Sequence, residues 1–557
     1  MGNLMESFAK NSAAFSSGLL GNWSTDRRQV LKALVGTSAA LVTGAGFTGI
    51  ASAQDTKTVV ALVQPDISTL GQYLSSALAT SLVASKIYDG LLEYDFDLKP
   101  KPSLAESFEV SEDGLTVTFK LRPGVVFHDG KPFTSADVQF SILEVLKNFH
   151  PRGSINFKEV EAIETPDELT AVFKLAKPAP YMISALSGYE APMVPKHLFE
   201  GTDIRDNEQA NAPIGTGPFK FVEWRRGQFV RLEKNENYWQ PGLPKIDRLV
   251  FRYIPDAGTR TAAIESGEVQ VAGFGAVFYS DVRHLETVPG MEVTQKGYEM
   301  ISPVVEAHFN TKRAPFDQVK VRQAISYALD RQFIIDNVWF GFGKPATGPI
   351  SSNFAATGLY TSDVRNYNVP DRVGQAKKLL DEAGFPEKEG GIRFEMTIDP
   401  TPYGEEWRRF GEYVIQALNT IGIKASMRYE DVPTWLKRIY TDYDYDMMLS
   451  WISNLADPVT GIHREYHSNS IRPGAVFVNA TQWSTPETDA LMDQAANEKD
   501  PARRAELYHQ FQKLVVEAAP TIWIMELQFS TVTSDRVKDA VVSPLGLYAN
   551  FAQLDIV

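Results

Sequence analysis

The spacing of His463 and His467 could place two imidazoles on one face of a helix, where they could bind zinc. The segment reads HREYH rather than HExxH, and no third ligand is evident in the sequence. We therefore interpret the pair as a chance arrangement. No metal site is predicted.

Sequence motifs for catalysis are missing. The chain contains no G-x-S-x-G motif, no Walker A motif and no cysteine, which excludes a nucleophile elbow, a phosphate-binding loop and thiolate chemistry. Pairs of acids carry no information in a chain with 69 Asp and Glu. We predict no catalytic residue and no cofactor, and a protein without a nucleotide motif cannot energise transport itself.

The composition favours a large globular protein that could line a cavity with aromatic rings. Apolar residues make up 43% of the 557 residues, and there are 32 Phe, 21 Tyr and 9 Trp. A chain of this length exceeds the size of one hydrophobic core, so two or three lobes are expected. The net charge of −14 argues against binding to nucleic acid.

The segment 87–138 predicts a small α/β layer. Leu115 to Leu121 alternates apolar and polar residues as a half-buried strand does, and Asp113-Gly114 precedes it as a turn. Thr134 is a candidate helix N-cap, with Asp137 three residues later near the positive end of the helix dipole.

The same segment resembles the extracytoplasmic solute-binding proteins of family 5, which serve peptide, opine and nickel ABC importers. The motifs that carry the resemblance occur in order within about fifty residues, and they are YDGLL at 88–92, AES at 105–107, DGL at 113–115, LRPG at 121–124, FHDG at 127–130 and FT at 133–134. The resemblance implies an α/β fold of the periplasmic binding protein type II kind. It would have two lobes joined by a hinge, in the larger three-domain variant.

Later landmarks extend the resemblance along the chain. IGTGPF at 214–219 resembles the point where the family's chain re-enters the first lobe, and FNT at 309–311 with VRQAI at 321–325 resembles the start of its second lobe. The two glycines of IGTGPF do not form a phosphate cradle, because a strand and not a helix is predicted after them. The expected divisions are a signal peptide at 1–53, first-lobe segments at 54–89, 208–303 and 527–557, an extra α/β subdomain at 90–207, and the second lobe at 304–526.

The ligand site implied by the resemblance lies around Trp451. In the family's peptide binders a strand ends in a Trp that walls a side-chain pocket, and an Asp three residues later pairs with the α-amine of the peptide. Here that position is Asn454, which cannot neutralise an ammonium. No Arg occurs between Asp399 and Arg408, where dipeptide binders place one for the ligand carboxylate. A zwitterionic dipeptide is therefore less favoured than a longer peptide, an opine-like conjugate or an oligosaccharide.

The candidate ligand-binding residues follow from this comparison. They are Trp451, Asn454, Ser450, Ile452 and Asp457 from the strand and its loop, Leu78 from the segment 73–78, and the more isolated His308, Trp435 and Trp339. For each isolated ring, packing in the core is an equally good interpretation.

The function implied is that of a receptor that captures a peptide or related solute in the periplasm and delivers it to an ABC permease. Its expected partners are the solute and the transmembrane subunits of the permease, with separate ATPase subunits. No nucleic acid is expected, and the protein is expected to be a monomer. An opine or oligosaccharide receptor, or an extracytoplasmic enzyme or chaperone on the same scaffold, remains an alternative. The sequence does not identify the solute.

The N-terminal residues predict export. Asp26 to Lys32 reads DRRQVLK and resembles the twin-arginine motif, a mildly apolar run follows to Ile50, and ASA at 51–53 is a candidate cleavage site. Four glycines make the run too weakly apolar for a stable membrane span. Since the chain contains no cysteine, a lipoprotein anchor is not expected.

Overall fold

The computed structural model describes residues 56–557, and the predicted twin-arginine segment lies outside the described residues. The strands are β1 Thr58–Leu62, β2 Leu92–Tyr94, β3 Pro100–Pro102, β4 Ala105–Val110, β5 Thr116–Leu121, β6 Val160–Asp167, β7 Thr170–Leu175, β8 Phe219–Arg225, β9 Phe229–Lys234, β10 Arg248–Arg252, β11 Val271–Ala272, β12 Met291–Thr294, β13 Pro303–Phe309, β14 Gly343–Pro345, β15 Phe394–Pro400, β16 Ile423–Met427, β17 Met447–Ser453, β18 Thr521–Leu527, β19 Thr531–Ser534, β20 Val537–Lys538 and β21 Asp555–Ile556.

Helices cover these strands. They are α1 Leu78–Ala84, α2 Ser135–Phe140, α3 Lys147–Phe149, α4 Gly153–Asn156, α5 Pro180–Ser184, α6 Lys196–Phe199, α7 Ala257–Glu265, α8 Tyr279–Leu285, α9 Val319–Ala328, α10 Arg331–Asn337, α11 Arg372–Glu382, α12 Glu405–Asn419, α13 Val432–Tyr440, α14 Pro458–Gly461, α15 His463–Tyr466, α16 Pro486–Asn497 and α17 Pro501–Ala518. A π-helical stretch, Ser141–Leu146, joins α2 to α3. Within residues 56–557, no helix combines the length and the apolar character needed to cross a bilayer.

Three sheets organise the chain. The first lobe is built on seven strands in the order β12-β19-β11-β1-β10-β9-β8, and the second lobe on six in the order β14-β18-β13-β17-β15-β16. A four-stranded sheet, β4-β5-β7-β6, forms the additional α/β layer predicted from the segment 87–138. The predicted two-lobed α/β fold with a third subdomain is confirmed.

The two lobes are joined by two crossing segments, residues 295–302 and 528–530, which connect β12 to β13 and β18 to β19. The segments contact each other, because the Tyr298 ring meets the Phe529 ring edge-on at 5.5 Å. The Tyr298 hydroxyl also lies 2.6 Å from Oγ1 of Thr531. Short connecting segments of this kind are where a hinge between two lobes is found.

The local predictions for the segment 87–138 are confirmed. On β5 the apolar residues Val117, Phe119 and Leu121 are buried, as the alternating pattern requires. At the start of α2, the Asp137 carboxylate accepts a hydrogen bond of 2.9 Å from the backbone N–H of Thr134. This bond satisfies a donor that the first helical turn leaves open and fixes where the helix begins.

Several of the family-like motifs meet at one buried carboxylate. Asp89 accepts hydrogen bonds from Trp239 Nε1 at 3.0 Å, Thr216 Oγ1 at 3.3 Å, Asn550 Nδ2 at 3.3 Å and the Tyr238 hydroxyl at 3.4 Å. We call these five residues the Asp89 junction. It ties together chain segments that are more than 450 residues apart in sequence.

The glycines of IGTGPF pack against the same region. A Cβ on Gly215 would lie 2.1 Å from the carbonyl oxygen of Ile87, and one on Gly217 would lie 2.6 Å from it, so only glycine fits at either position. His128 donates from Nε2 to the Gly217 carbonyl at 2.9 Å and accepts at Nδ1 from the Gly215 N–H at 3.3 Å. The strand β8 follows directly, as predicted, and the loop has a structural role.

Candidate ligand-binding site

A cavity of about 490 Å³ lies between the two lobes. It is lined by Gln64, Pro65, Leu78, Phe274, Gly275, Val277, Phe278, Tyr279, Trp339, Tyr403, Glu406, Trp407, Trp451 and Leu527. Half of these fourteen residues are aromatic, and we call the space the ring-lined cavity. A cavity of this size, with apolar walls and few polar groups, is typical of a small-molecule or peptide site.

The first lobe contributes the loops that follow two of its parallel strands. β1 pairs in parallel with β11, and the chain enters the wall of the cavity at Gln64, just after β1, and at Phe274, just after β11. In open α/β sheets the carboxyl ends of parallel strands form the edge where ligands bind. The start of α1 adds Leu78 to the same wall.

The second lobe repeats this arrangement. β15 and β17 are parallel neighbours, and they present Tyr403 beyond the end of β15 and Trp451 within β17. Glu406 and Trp407 follow in the first turn of α12. Both lobes therefore direct the carboxyl ends of parallel strands at one shared space.

The rings around Trp451 hold it in position. Phe274 of the first lobe stacks on Phe529 of the crossing segment with ring centroids 3.5 Å apart, and Trp451 meets these two rings edge-on at 6.2 and 5.9 Å. Trp451 remains half-buried, so part of its face is available to a ligand. Also in the second lobe, Trp339 and Trp407 pack edge-on at 5.6 Å.

The electrostatic character of the cavity is set by Glu406. Burial raises the pKa of this carboxyl, and the backbone N–H of Tyr279, across the cavity, partly offsets that effect. Of the lining residues that the structure describes, none is a lysine or arginine. The cavity is therefore suited to a neutral or cationic solute with apolar groups, and it offers no ion pair to a free carboxylate.

Arginines do lie behind the second-lobe wall, but they are already paired. Arg428 holds the buried Asp399 through Nη2 at 2.9 Å, and Arg438 contacts the other carboxylate oxygen. Arg428 also pairs with Asp444 and Arg438 with Glu430, so neither guanidinium is available to a ligand.

The residues predicted from sequence separate into two groups. Trp451 and Leu78 line the cavity, and so does Trp339, whose ring is almost fully buried in the wall. Ser450, Ile452, Asn454, Asp457, His308 and Trp435 do not line it, and each is at least nine-tenths buried.

The buried positions around Trp451 have structural reasons. Alternation along β17 turns Ser450 and Ile452 to the face opposite Trp451. The Asn454 side chain accepts from the Ser351 N–H at 2.6 Å and donates to the Pro349 carbonyl at 3.1 Å, so it has no free group for an ammonium.

Asp457 and Trp435 are likewise occupied within the protein. Asp457 caps α14 and pairs with Arg504 through two bonds of 2.8 and 2.9 Å. Trp435 is fully buried, donates from Nε1 to the Asp399 carbonyl at 3.3 Å and lies behind the ring of Tyr403.

The histidines also have internal partners. His308 sits on the central strand β13, 5% exposed, with Nδ1 3.2 Å from Thr521 Oγ1. His463 meets the Tyr508 hydroxyl at 3.0 Å, whereas His467 faces Asp493 at 3.4 Å. Since the last two rings turn to different partners, the i, i+4 spacing does not produce a shared metal site.

Sequence reasoning missed most of the cavity wall. The unpredicted lining residues include Phe274, Phe278, Tyr279, Tyr403, Glu406, Trp407 and Leu527. Apart from Leu527, the last residue of β18, they occupy loops and helix starts, where no periodic pattern distinguishes a ligand contact from a packed ring. The available signal was their position just after predicted strands, at the edge where parallel strands end.

Comparison with known proteins places this architecture in a family. Residues 99–472, more than half of the chain, match the model of the bacterial extracellular solute-binding proteins, family 5 middle. The chain is 31% identical to heme-binding protein A of Haemophilus influenzae over 83% of its own length and 86% of that protein. It is 28% identical to the glutathione-binding protein GsiB of Escherichia coli, over 84% and 88% of the two chains.

A solved structure shows the same fold. The oligopeptide-binding protein AppA of Bacillus subtilis, in complex with a nonapeptide, aligns with a TM-score of 0.73 and 26% identity. The alignment covers 90% of this chain and 99% of AppA.

Proposed function

The chain belongs to the bacterial extracellular solute-binding proteins of family 5, and from that premise we propose that it is the receptor of an ABC importer. It would capture a peptide or a related solute outside the cytoplasm and deliver it to a membrane permease. The family consists of binding proteins rather than enzymes. The observation that carries the proposal is the ring-lined cavity between the lobes, with Trp451 in its wall.

The residues that line the cavity favour one class of solute. Its rings favour apolar or aromatic groups, Glu406 favours a positive group, and the lining offers no cation for a carboxylate. The Asn454 amide is bonded to the Ser351 and Pro349 backbone, so this position offers no partner to the α-amine of a peptide. We infer a neutral or cationic solute with apolar bulk, such as a longer peptide or a conjugate, rather than a zwitterionic dipeptide.

The proposed mechanism is closure of the lobes about the two crossing segments. Phe274 comes from the first lobe and Trp451 from the second, so a complete wall requires both lobes to approach. A solute that contacts both walls binds the closed form better and shifts the population toward it. The permease, with separate ATPase subunits, would recognise that closed form of a monomeric receptor.

Calorimetry distinguishes this function from the alternatives. A receptor saturates at one site and releases heat once per binding event, whereas an enzyme on the same scaffold would release heat continuously while substrate remains. Mass spectrometry of the solute that co-purifies with the protein identifies the compound to titrate. The same titration with an opine or an oligosaccharide tests those alternative solutes.

Substitution of Trp451 tests the site. We expect Trp451→Ala to weaken binding of the co-purifying solute at least tenfold, about 1.4 kcal/mol, because the variant loses ring contact with the solute. Trp224→Ala is the matched control, since Trp224 is also half-buried but packs under Arg226 at 4.0 Å, outside the cavity lining. Equal affinities of the two variants would remove Trp451 from the site.

The proposed route of export is the twin-arginine pathway, with cleavage after Ala53. We expect residues 1–60 to export a folded reporter protein, and replacement of both Arg27 and Arg28 by Lys to abolish export. Secretion of the double-lysine variant at the wild-type level would contradict this route.

A further inference from the structure

Three side chains of the second lobe converge away from the ring-lined cavity. On β13, Val305 lies opposite Trp451 whereas Glu306 lies opposite Ser450, so Glu306 points to the other face of the sheet. His308, two residues later, shares that face. Glu465, on α15, completes the group.

The geometry is that of a metal site. One potential ligand atom from each of the three residues lies within 4.8 Å of the other two. His308 Nε2 and Glu306 Oε2 are 3.1 Å apart. Ligand atoms that bind one ion at about 2.0 to 2.2 Å are separated by comparable distances.

The two carboxyls are buried without the donors that usually satisfy such groups. Glu306 is 0% and Glu465 6% exposed, and within residues 56–557 neither oxygen of Glu306 nor Oε2 of Glu465 meets an N–H or hydroxyl donor; the two carboxyls contact each other instead. The 3.1 Å approach of His308 does not meet hydrogen-bond geometry, so the ring nitrogen and the carboxylate lie side by side.

The charge of the neighbouring Arg464 compensates them only in part. Arg464 directs its guanidinium to the carbonyls of Gly461, at 3.0 Å, and Ser453, at 3.3 Å. No lysine or arginine nitrogen of the described chain lies within 4.0 Å of the Glu306 or Glu465 carboxylate. Two buried carboxyls in contact cannot both carry a charge unless a cation lies between them.

The orientation of His308 is also appropriate for a ligand. Its Nδ1 lies 3.2 Å from Thr521 Oγ1, and a proton on Nδ1 donated to that hydroxyl leaves the lone pair on Nε2 facing the carboxylates. Metal-binding histidines are commonly held in this way by a partner on the other ring nitrogen.

We propose that Glu306, His308 and Glu465 hold one first-row divalent metal ion in the second lobe. One imidazole and two carboxylates suit Zn²⁺ or Mn²⁺, and an ion of charge +2 neutralises both acids. The site is distinct from the proposed solute site, and its ion would fix α15 against β13.

The test uses the full exported chain. After treatment with a chelator, we expect the wild-type protein to take up about one equivalent of Zn²⁺ or Mn²⁺ per chain, measured by atomic emission, and its Tm to rise with the added ion. Glu465→Gln should lose this uptake, with affinity at least about tenfold lower. Glu526→Gln, which alters another buried carboxylate with its own partners, should retain it.

Crystals of the wild-type protein soaked with Zn²⁺ give a second measurement that needs no variant. An anomalous peak between Glu306, His308 and Glu465 is expected. Failure of the chelated wild type to take up either ion, or uptake unaffected by Glu465→Gln and also by Glu306→Gln, would overturn the proposal. The cluster would then be two carboxyls that share one proton.

Discussion

The Asp89 junction and the ring-lined cavity differ in what holds them together. The junction consists of polar groups, two of them on the aromatic residues Trp239 and Tyr238, that donate to one carboxylate, and glycines lie beside it where two backbones touch. The cavity consists of large rings that reach from loops of both lobes into open space. The polar groups of the junction have hydrogen-bond partners within the protein, whereas the groups that line the cavity remain available to a ligand.

This difference separates the residues that define the fold from those that choose the solute. Several of the family-like motifs meet at or beside the junction, and their side chains and glycines permit close backbone contacts there. The cavity wall can change its rings and its single charge without disturbing those contacts. Substitutions in the two regions should therefore have separable effects on stability and on binding.

The largest expected effect is that of Gly215→Ala in the junction region. Its Cβ would lie 2.1 Å from the Ile87 carbonyl oxygen, and neither backbone can move without breaking other bonds. We expect the free energy of unfolding to fall by about 4 kcal/mol or more, measured by urea denaturation. The fraction that folds should bind solute with wild-type affinity.

Gly258→Ala is the control for this substitution. Gly258 lies in α7, where a new Cβ would come no closer than 3.6 Å to another atom, so we expect a stability change of less than about 1 kcal/mol. Similar losses for both variants would mean that glycine flexibility, rather than the close approach at Ile87, explains the effect.

The next largest expected effect is a pH dependence of the free energy of unfolding, and it comes from His128. Burial lowers the pKa of this ring to about 4, with nearby Lys220 acting in the same direction and Asp129 in the opposite one. The pKa of this ring is about 6.5 in the unfolded chain and about 4 in the folded protein. Between these two pH values the unfolded chain binds more protons, so the free energy of unfolding falls as the pH falls through this window. The shift corresponds to about 3 kcal/mol.

His128→Gln isolates this contribution. An amide can accept from the Gly215 N–H and donate to the Gly217 carbonyl, but it does not titrate. From pH 7 to pH 4 the wild-type protein should lose about 3 kcal/mol more stability than the variant, followed by denaturation at each pH. Parallel curves for the two proteins would show that His128 does not control acid sensitivity.

A smaller effect is expected beside the cavity, from Asn454→Asp. The new carboxylate would face the Pro349 carbonyl that the amide now donates to, and we expect a loss of about 2 kcal/mol in unfolding free energy. Because Asn454 is 0% exposed, the preference for peptides with a free rather than an acetylated N-terminus should not change. A gain in affinity for free N-termini would show that this side chain reaches the solute.

Much of the fold could be predicted because its signals are local. Thr134 and Asp137 predict a helix start by their spacing alone, and the alternation in β5 predicts a buried face. The strand after IGTGPF was predicted from the same kind of pattern. These features depend on residues within a few positions of one another, so they need no knowledge of the tertiary structure.

The site was harder to predict because it depends on the approach of distant segments. Phe274 and Trp407 become cavity residues only when the two lobes meet, and neither has a distinguishing neighbour in sequence. Asn454 was predicted from resemblance and His308 as an isolated cleft candidate, but the Ser351 loop and the central position of β13 bury them. Trp451 was predicted because it belongs to a family-like motif, and the structure places it in the cavity wall.

The most direct test is a crystal structure of the protein with the solute that co-purifies with it. The account predicts electron density for that solute between Phe274 and Trp451, in contact with both lobes. Density at the Asp89 junction or on the outer surface, with the ring-lined cavity empty at saturating solute, would contradict it.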